Sequence, residues 1–147
     1  MIYDGGVFLS YMNLISWIRR RVSVDNLGIR GEALAARYVR HELKMKVLAR
    51  NVRYPGGELD IVALDGDDLV FVEVRTRSSE EFTTPEATVT SHKKRFLIRA
   101  ANGFIRRKNL DRWNARFDII AIVWPKNGEP IIRHHRSAFS FRSFRHR

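Results

Sequence analysis

Apolar residues recur at helical spacing in two stretches of this chain, with shorter strand-like runs between and after them. Side chains three and four residues apart share one face of a helix, so each stretch predicts an amphipathic helix. The first can be capped by Asp25 or Asn26 and runs to about Lys44. The second runs from about Ser91 to Arg107 and has one apolar and one strongly basic face.

Five apolar runs bounded by turn residues predict β-strands. Short Pro-Gly-Gly and Asp-Gly-Asp turns make the first three antiparallel neighbours, and the long crossover through the second helix makes the fourth parallel to the third. The fifth pairs with the fourth as a hairpin. The predicted strands are 46–53, 58–64, 68–76, 116–124 and 130–134. The order α-β-β-β-α-β-β indicates an α/β fold with a central mixed β-sheet flanked by helices.

The chain has 147 residues, 44% of them hydrophobic, which is enough for one domain with its own core. We divide it into an N-terminal extension over 1–24, a folded domain over 25–140 and a basic tail over 141–147. The absence of cysteine excludes disulfides, a thiol nucleophile and thiolate metal sites. It agrees with the cytoplasm, where we expect the protein to act.

The N-terminal extension contains an apolar stretch over 7–18 with helical spacing. It is too short to span a membrane, which takes about 20 apolar residues. Its three arginines at 19–21 follow the apolar run, whereas a secretory signal has its positive charges before it. We therefore expect neither export nor a membrane partner. The stretch can dock on the domain as a short amphipathic helix, lie on a membrane surface or remain frayed.

The net charge of +11 lies in the C-terminal part of the chain. Residues 1–90 contain 12 Lys and Arg against 13 Asp and Glu, whereas residues 91–147 contain 15 against 3. A one-sided positive field of this kind attracts polyanions, and nucleic acid is the commonest of them. In the tail from Arg136 onward, Arg and Phe alternate, so its Phe residues either pack onto the core or accompany arginines that bind backbone phosphate.

Charged residues inside two apolar strands are the strongest candidates for chemistry. In the third strand, Glu73 and Arg75 share the face opposite to the valines, and Asp60 lies in the second strand. If the two strands form a hairpin, Asp60 and Glu73 converge into an oxygen-rich pocket suited to Mg²⁺ or Mn²⁺. Such a metal site is typical of phosphodiester hydrolysis.

Two further carboxylates are weaker candidates for the same pocket. Glu32, at the start of the first helix, can complete the coordination, or it can simply be an acidic residue favoured by the helix dipole. Glu58 shares a strand face with Asp60. The structural alternative for Asp60, Glu73 and Arg75 is a cross-strand ion pair on a partly solvated sheet face.

Several short motifs together resemble the YraN-like family, which is similar to archaeal Holliday junction resolvases. The resemblance covers about residues 28–140 and implies the restriction-endonuclease-like fold and the PD-(D/E)XK nuclease site. Glu32, Asp60 and Glu73 match its acidic positions. The motifs are Gly31-Glu32-Ala33, Asn51-Val52-Arg53, Gly57-Glu58-Leu59-Asp60-Ile61, Phe71-Val72-Glu73-Val74-Arg75-Thr76-Arg77, Lys93 with Arg95, Arg116-Phe117-Asp118 and Ala138-Phe139.

Arg75 departs from the pattern, which has Lys at this position to orient or deprotonate the attacking water. Arginine stays protonated, so Arg75 can stabilise transition-state charge but cannot act as a base. Water activation then depends on the metal alone or on another group, such as Lys93 or Lys94 of the second helix.

These observations predict a metal-dependent endonuclease acting on branched or otherwise structured DNA, with DNA favoured over RNA. Arg77, Lys93, Lys94 and Arg95 are the candidate phosphate contacts. Resolvases that cut two strands act as symmetric dimers, so the resemblance leaves a homodimer open. Two alternatives remain open: a non-catalytic nucleic-acid-binding module with a degenerate nuclease site, and a membrane-surface or protein-docking adaptor that uses the N-terminal extension and the tail.

Overall fold

The computed structural model describes residues 26–141, which form two α-helices, one 3-10 helix and five β-strands. In chain order the helices and strands are α1 (Leu27–His41), β1 (Lys46–Tyr54), β2 (Gly57–Asp65), β3 (Asp68–Arg77), the 3-10 helix (Glu86–Thr88), α2 (Ser91–Arg107), β4 (Asn114–Val123) and β5 (Ile131–Phe139).

The five strands form one sheet in the order β1-β2-β3-β4-β5. β1, β2 and β3 pair antiparallel, β4 lies parallel to β3, and β5 returns antiparallel to β4. The apolar side chains of β3 alternate between two cores: Val70 and Val72 pack with α1, and Leu69 and Phe71 pack with α2. The predicted mixed sheet flanked by helices is confirmed.

Helix α1 begins where a polar side chain can accept its first free N–H groups. Asn26 is the cap, and its Oδ1 accepts the backbone N–H of Ile29 at 3.2 Å. The helix ends at His41, three residues before the predicted end, because the chain turns at Lys44, whose φ is +56°. Gly31 lets α1 lie close against β3, since a Cβ there would be 1.8 Å from Thr76 Oγ1.

Strand β5 is longer than the predicted 130–134, because it continues through the start of the Arg and Phe tail to Phe139. A bulge allows this: the register shifts between Phe117 and Ile119 of β4, and Ser137 on β5 has a φ of +50°. Past the bulge, the Phe139 and Phe117 rings stack at 4.5 Å, and the Phe141 ring lies 4.6 Å from Phe117. These tail phenylalanines therefore pack onto the core.

A buried carboxylate fixes this bulge. Asp118 has no exposed surface, and its Oδ1 accepts Arg116 Nε at 3.0 Å and the backbone N–H of Ser137 at 2.9 Å. Its Oδ2 lies 2.8 Å from His134 Nε2 and 3.3 Å from a terminal guanidinium nitrogen of Arg116. Both oxygens are thus fully hydrogen-bonded, as a buried charge requires.

The guanidinium of Arg116 extends this network to the β2–β3 turn. Its two terminal nitrogens donate to Asp65 at 2.7 Å and to Asp68 at 2.9 Å. Arg116 therefore joins the turn to β4, and Asp118 joins β4 to β5, at one end of the sheet.

The N-terminal stretch at 7–18 and the end of the tail beyond Phe141 lie outside the described residues. No helix within residues 26–141 has the length and apolar character needed to cross a membrane.

We expect Asp118→Asn to lower the free energy of unfolding by about 3 kcal/mol at pH 7, because it removes the buried anion that accepts hydrogen bonds from Arg116, His134 and Ser137. Burial raises the pKa of Asp118, but hydrogen bonds from His134, Arg116 and Ser137 outweigh it and hold the pKa below its usual value. Its contribution to stability is thus present above pH 4 and lost on further acidification. Urea denaturation as a function of pH measures both effects.

The matched control is Asp111→Asn, which changes an exposed carboxylate. Equal, small losses in the two variants would show that the Asp118 network does not stabilise the sheet.

Candidate active site

The candidate site lies where β2 and β3 separate, a place that we call the fork. Their pairing ends at Ile61 and Val72, one position before Asp60 and Glu73 would face each other. Beyond that point β2 pairs only with β1, and β3 pairs only with β4. The Oδ2 of Asp60 accepts the backbone N–H of Val74 at 2.8 Å, so a side chain satisfies a donor of β3 that β2 no longer pairs.

Glu73 is buried at this fork, with 3% of its surface exposed. Its Oε2 has no hydrogen-bond donor among the other residues of 26–141 unless a proton is shared with the Asp60 carboxyl, with which Glu73 forms a side-chain hydrogen bond. The enclosed space behind Asp60 and Glu73 is lined by apolar side chains, including Leu97 and Phe117, and has no room for a water molecule. Glu73 therefore does not lie on a solvated sheet face, although an ion pair between Glu73 and Arg75 is present at 3.6 Å.

Burial and the neighbouring carboxylate both disfavour the charged form of Glu73. Burial first, and then the charge of Asp60, raise its pKa to about 8, although Lys93 and Arg75 act in the opposite direction. Burial also raises the pKa of Asp60, against the N–H of Val74, which lowers it. At neutral pH the pair therefore retains a proton when no cation is bound.

Two cationic side chains approach the same oxygen of Glu73. Lys93 Nζ lies 3.5 Å and Arg75 Nε 3.6 Å from its Oε1. A second guanidinium nitrogen of Arg75 donates to the backbone carbonyl of Thr88 at 3.4 Å, which holds the side chain beside the fork. An ammonium group of α2 thus lies beside Glu73, close to the arginine that stands where the pattern expects a lysine.

The helix explains why Lys93, rather than Lys94, reaches the fork. Lys93 lies four residues before Leu97 and shares the inward face of α2 with it. Lys94 points elsewhere, with its Nζ 5.4 Å from the ring centre of Phe139. The apolar stripe of the helix, extended by one turn, would have identified Lys93 from the sequence.

Glu32 is near the pair but makes a different contact. Its Oε2 accepts a hydrogen bond from Asn51 Nδ2 at 2.8 Å. The charge of Glu32 raises the pKa of Asp60, but its effect is smaller than those of burial and of the Val74 N–H. Glu58 forms an ion pair with Arg53 at 3.1 Å. Within the described part of the chain, no three His, Asp or Glu side chains form a group that could hold a metal. The structure therefore brings Asp60 and Glu73 together and leaves the ligand role of Glu32 a prediction.

An open cleft of about 300 Å³ adjoins the fork on the α1 side. Its lining includes Glu32, Arg75, Arg77 and Thr88, so two guanidinium groups border a space large enough for a phosphate group. Thr88 was not a sequence candidate, and nothing in the sequence marks it. Asn51, the partner of Glu32, could have been noticed in the sequence, because asparagine tolerates a positive φ. Its φ is +50° within β1.

The four predicted phosphate contacts do not form one cluster. Arg77 is at the exposed end of β3, beside the cleft, and Lys93 faces Glu73. Lys94 lies near the tail, and Arg95 is on the outer face of α2. A ligand that contacts all four must therefore extend around the N-terminal end of α2.

Comparison with known proteins places this chain in a family. The model of the Uncharacterised protein family UPF0102 matches residues 31–122, which include Glu32, Asp60, Glu73 and Lys93, and the chain belongs to this family. The expected YraN-like family is confirmed.

The similarity to each of three relatives covers most of this chain and most of the relative. A UPF0102 protein of Geobacter sulfurreducens is 46% identical over 113 residues, which are 77% of this chain and 88% of that protein. One of Geotalea uraniireducens is 40% identical over 81% of this chain and 93% of its own length. One of Rhodococcus opacus is 42% identical over 77% of this chain and 95% of its own length.

The raised pKa of Glu73 predicts a pH dependence of stability without metal. Between the usual glutamate pKa and about 8, the folded state retains a proton that the unfolded state has lost, so stability falls as pH rises through this range. The slope is at most about 1.4 kcal/mol per pH unit. Glu73→Gln should remove most of it, since glutamine does not ionise. Urea denaturation at about three pH values between 5 and 8, in the presence of a chelator, measures the slope.

Glu58→Gln is the control, because it alters a more exposed glutamate on the same strand as Asp60. A slope that survives Glu73→Gln unchanged would contradict a buried, protonated Glu73.

Proposed function

We propose that this protein is a metal-dependent endonuclease that hydrolyses phosphodiesters in branched or otherwise structured DNA. The observation that carries the proposal is the buried Glu73 carboxyl, held against the Asp60 carboxyl with Lys93 3.5 Å away. Two buried acids in contact are costly for stability, so their pairing beside a cation favours a ligand.

The residues at the fork suit Mg²⁺ or Mn²⁺, which prefer carboxylate oxygens. Asp60 and Glu73 would hold the ion, and Glu32 would bind it directly or through its water. When bound, such an ion polarises the phosphoryl oxygen and lowers the pKa of a water that attacks phosphorus. Binding requires Glu73 to lose its proton, so the affinity for the ion should rise with pH up to about 8.

The cationic side chains have separate roles in this proposal. Lys93 faces Glu73 and orients the attacking water through a donated hydrogen bond, in place of the lysine that the family resemblance expects where Arg75 stands. Arg75 stabilises negative charge on the phosphoryl oxygens and remains protonated throughout. Arg77, at the exposed side of the cleft, binds a neighbouring phosphate.

Charge and resemblance support DNA as the substrate. The excess positive charge over residues 91–147 favours a polyanion. The likeness of the YraN-like family to archaeal Holliday junction resolvases supports a branched DNA, met in the cytoplasm. Cutting two strands of a junction would require a symmetric homodimer, which stays a prediction.

Cleavage of labelled branched, single-stranded and duplex DNA in Mg²⁺ or Mn²⁺ tests the proposal. We expect branched DNA to be cut fastest and both Glu73→Gln and Asp60→Asn to abolish cutting, because each removes a ligand of the ion. Glu58→Gln should cut normally, since Glu58 pairs with Arg53 instead. Cutting that survives Glu73→Gln would come from a contaminant and would sink the proposal.

A matched pair of lysines tests the water-orienting role. Lys93→Ala should lower the rate at saturating substrate by about 10² to 10³, the usual effect of losing one well-placed donor. Lys94→Ala removes the same charge one residue away but leaves the fork intact, so its rate should stay within a few-fold of the original. Single-turnover measurements with excess enzyme separate this effect from weaker binding. Equal losses in both variants would mean that only overall charge matters.

The second candidate function is a nucleic-acid-binding module without turnover. Arg75 at the lysine position favours it, as does Glu32 bonded to Asn51 rather than joined to the carboxyl pair. Binding of branched DNA without cutting in either metal, unchanged in Arg75→Lys, would support this function over the nuclease.

A further inference from the structure

The outer face of α2 forms a continuous basic surface that the site does not use. Arg95, Arg99, Asn102 and Arg106 recur at intervals of three or four residues and are all exposed. At 100° per residue they lie directly opposite the buried side of the helix, which carries Leu97. We call these four residues the α2 ridge.

The basic residues in the first half of α2 oppose the stability of the helix, whereas Arg106 and Arg107 in its last turn favour it. Its 17 residues include six Lys and Arg and no Asp or Glu. Arg95 and Arg99 are like charges at i and i+4, and Lys93 is in the first turn, near the positive end of the helix dipole. A helix face that only faces water usually carries both signs, which stabilise each other. This arrangement therefore favours an anionic ligand.

The ridge is presented on a rigid support. The side chain of Thr90 caps α2 by accepting the Lys93 N–H at 3.2 Å. At mid-helix, Gly56 of the β1–β2 turn lies so close that a Cβ there would be 2.6 Å from Arg99 Cβ. Gly103 also lies close to Tyr54, since a Cβ there would be 3.0 Å from the ring. The turn thus fixes the backbone that carries Arg99.

The dimensions of the ridge suit a nucleic-acid backbone. From Arg95 to Arg106 the helix rises about 16 Å, which corresponds to roughly five base-pair steps along one strand. The ridge begins beside the turn that carries Lys93, which faces Glu73. A backbone with its reacting phosphate at the fork can therefore continue past the N-terminal end of α2 and along the ridge.

We propose that the α2 ridge binds the phosphate backbone of a double-stranded arm adjoining the phosphate that is cleaved. The preferred substrate then has a duplex arm of at least about five base pairs beside the cleavage point. This inference rests on the proposed function in taking nucleic acid as the ligand, but it concerns binding, which can be measured without turnover.

Salt-dependent binding of the full chain tests the inference. Fluorescence anisotropy is measured over a range of salt concentrations with branched DNA in which the arm beside the cleavage point has either about 15 base pairs or about one, too short to reach Arg99, while the other arms stay the same. Arg99→Gln combined with Arg106→Gln should lower the slope of log affinity against log salt by roughly 2 for the long arm, since each lost phosphate contact contributes about 0.9. With the short arm the slope should not change.

The matched control is Arg40→Gln combined with Lys46→Gln, which removes the same charge from exposed positions at the far end of the sheet. The inference fails if both double variants lower the slope equally, if the ridge variant does so for both arm lengths, or if it binds DNA normally and instead loses binding to vesicles of anionic phospholipid.

Repeating the titrations in Glu73→Gln separates this inference from the proposed function. If no DNA is cut in any metal but the ridge variant loses only long-arm binding, the ridge stands and the nuclease falls. If DNA is cut but the ridge variant has the same salt slope as the original protein, the nuclease stands and the ridge falls.

Discussion

The burial of one carboxyl group, Glu73, is the constraint on which the rest of the site depends. A carboxyl with 3% exposure is tolerated only where its surroundings compensate for lost hydration. β2 separates from β3 at this point and places Asp60 beside it, which makes ionisation harder, not easier. Compensation comes from Lys93 on α2 and from Arg75, two residues further along β3, which the carbonyl of Thr88 holds in place. The parallel position of β4 matters here, because its crossover is what carries α2 to this end of the sheet.

A comparison of the two buried acids separates structural from functional burial. Asp118, like Glu73, lies inside the sheet region, but both of its oxygens have hydrogen-bond donors and its pKa is lowered. Glu73 has cations at one oxygen, no donor within residues 26–141 at the other unless it shares a proton with Asp60, and a raised pKa. The same sheet therefore satisfies one acid completely and leaves the other incomplete. Stability alone explains the first arrangement but not the second, since an apolar residue at position 73 would be less costly.

The sequence predicted what depends on local pattern and missed what depends on tertiary contacts. The bounds of α2 follow from its apolar stripe, and the burial of β3 on both faces follows from its apolar run. The length of β5 was wrong, because its bulge depends on Asp118 accepting the Ser137 N–H from a different strand. The convergence of Asp60 and Glu73 was predicted from the hairpin. The point at which the hairpin opens could not be predicted, since it depends on how β1 and β4 pair with the outer edges of the two strands.

The mixture of charges at the fork indicates which kind of ligand would suit it. Two carboxyls alone would suit a cation, but Lys93 and Arg75 beside them repel one. Two cations alone would suit an anion, but Asp60 and Glu73 repel that. A metal ion and a phosphate arriving together satisfy both sets, because the carboxylates can hold the ion while the ammonium and guanidinium groups turn toward the phosphate. This reciprocity supports a phosphodiester over a free metal or a simple anion as the ligand, and it explains why Glu73 retains a proton when neither is bound.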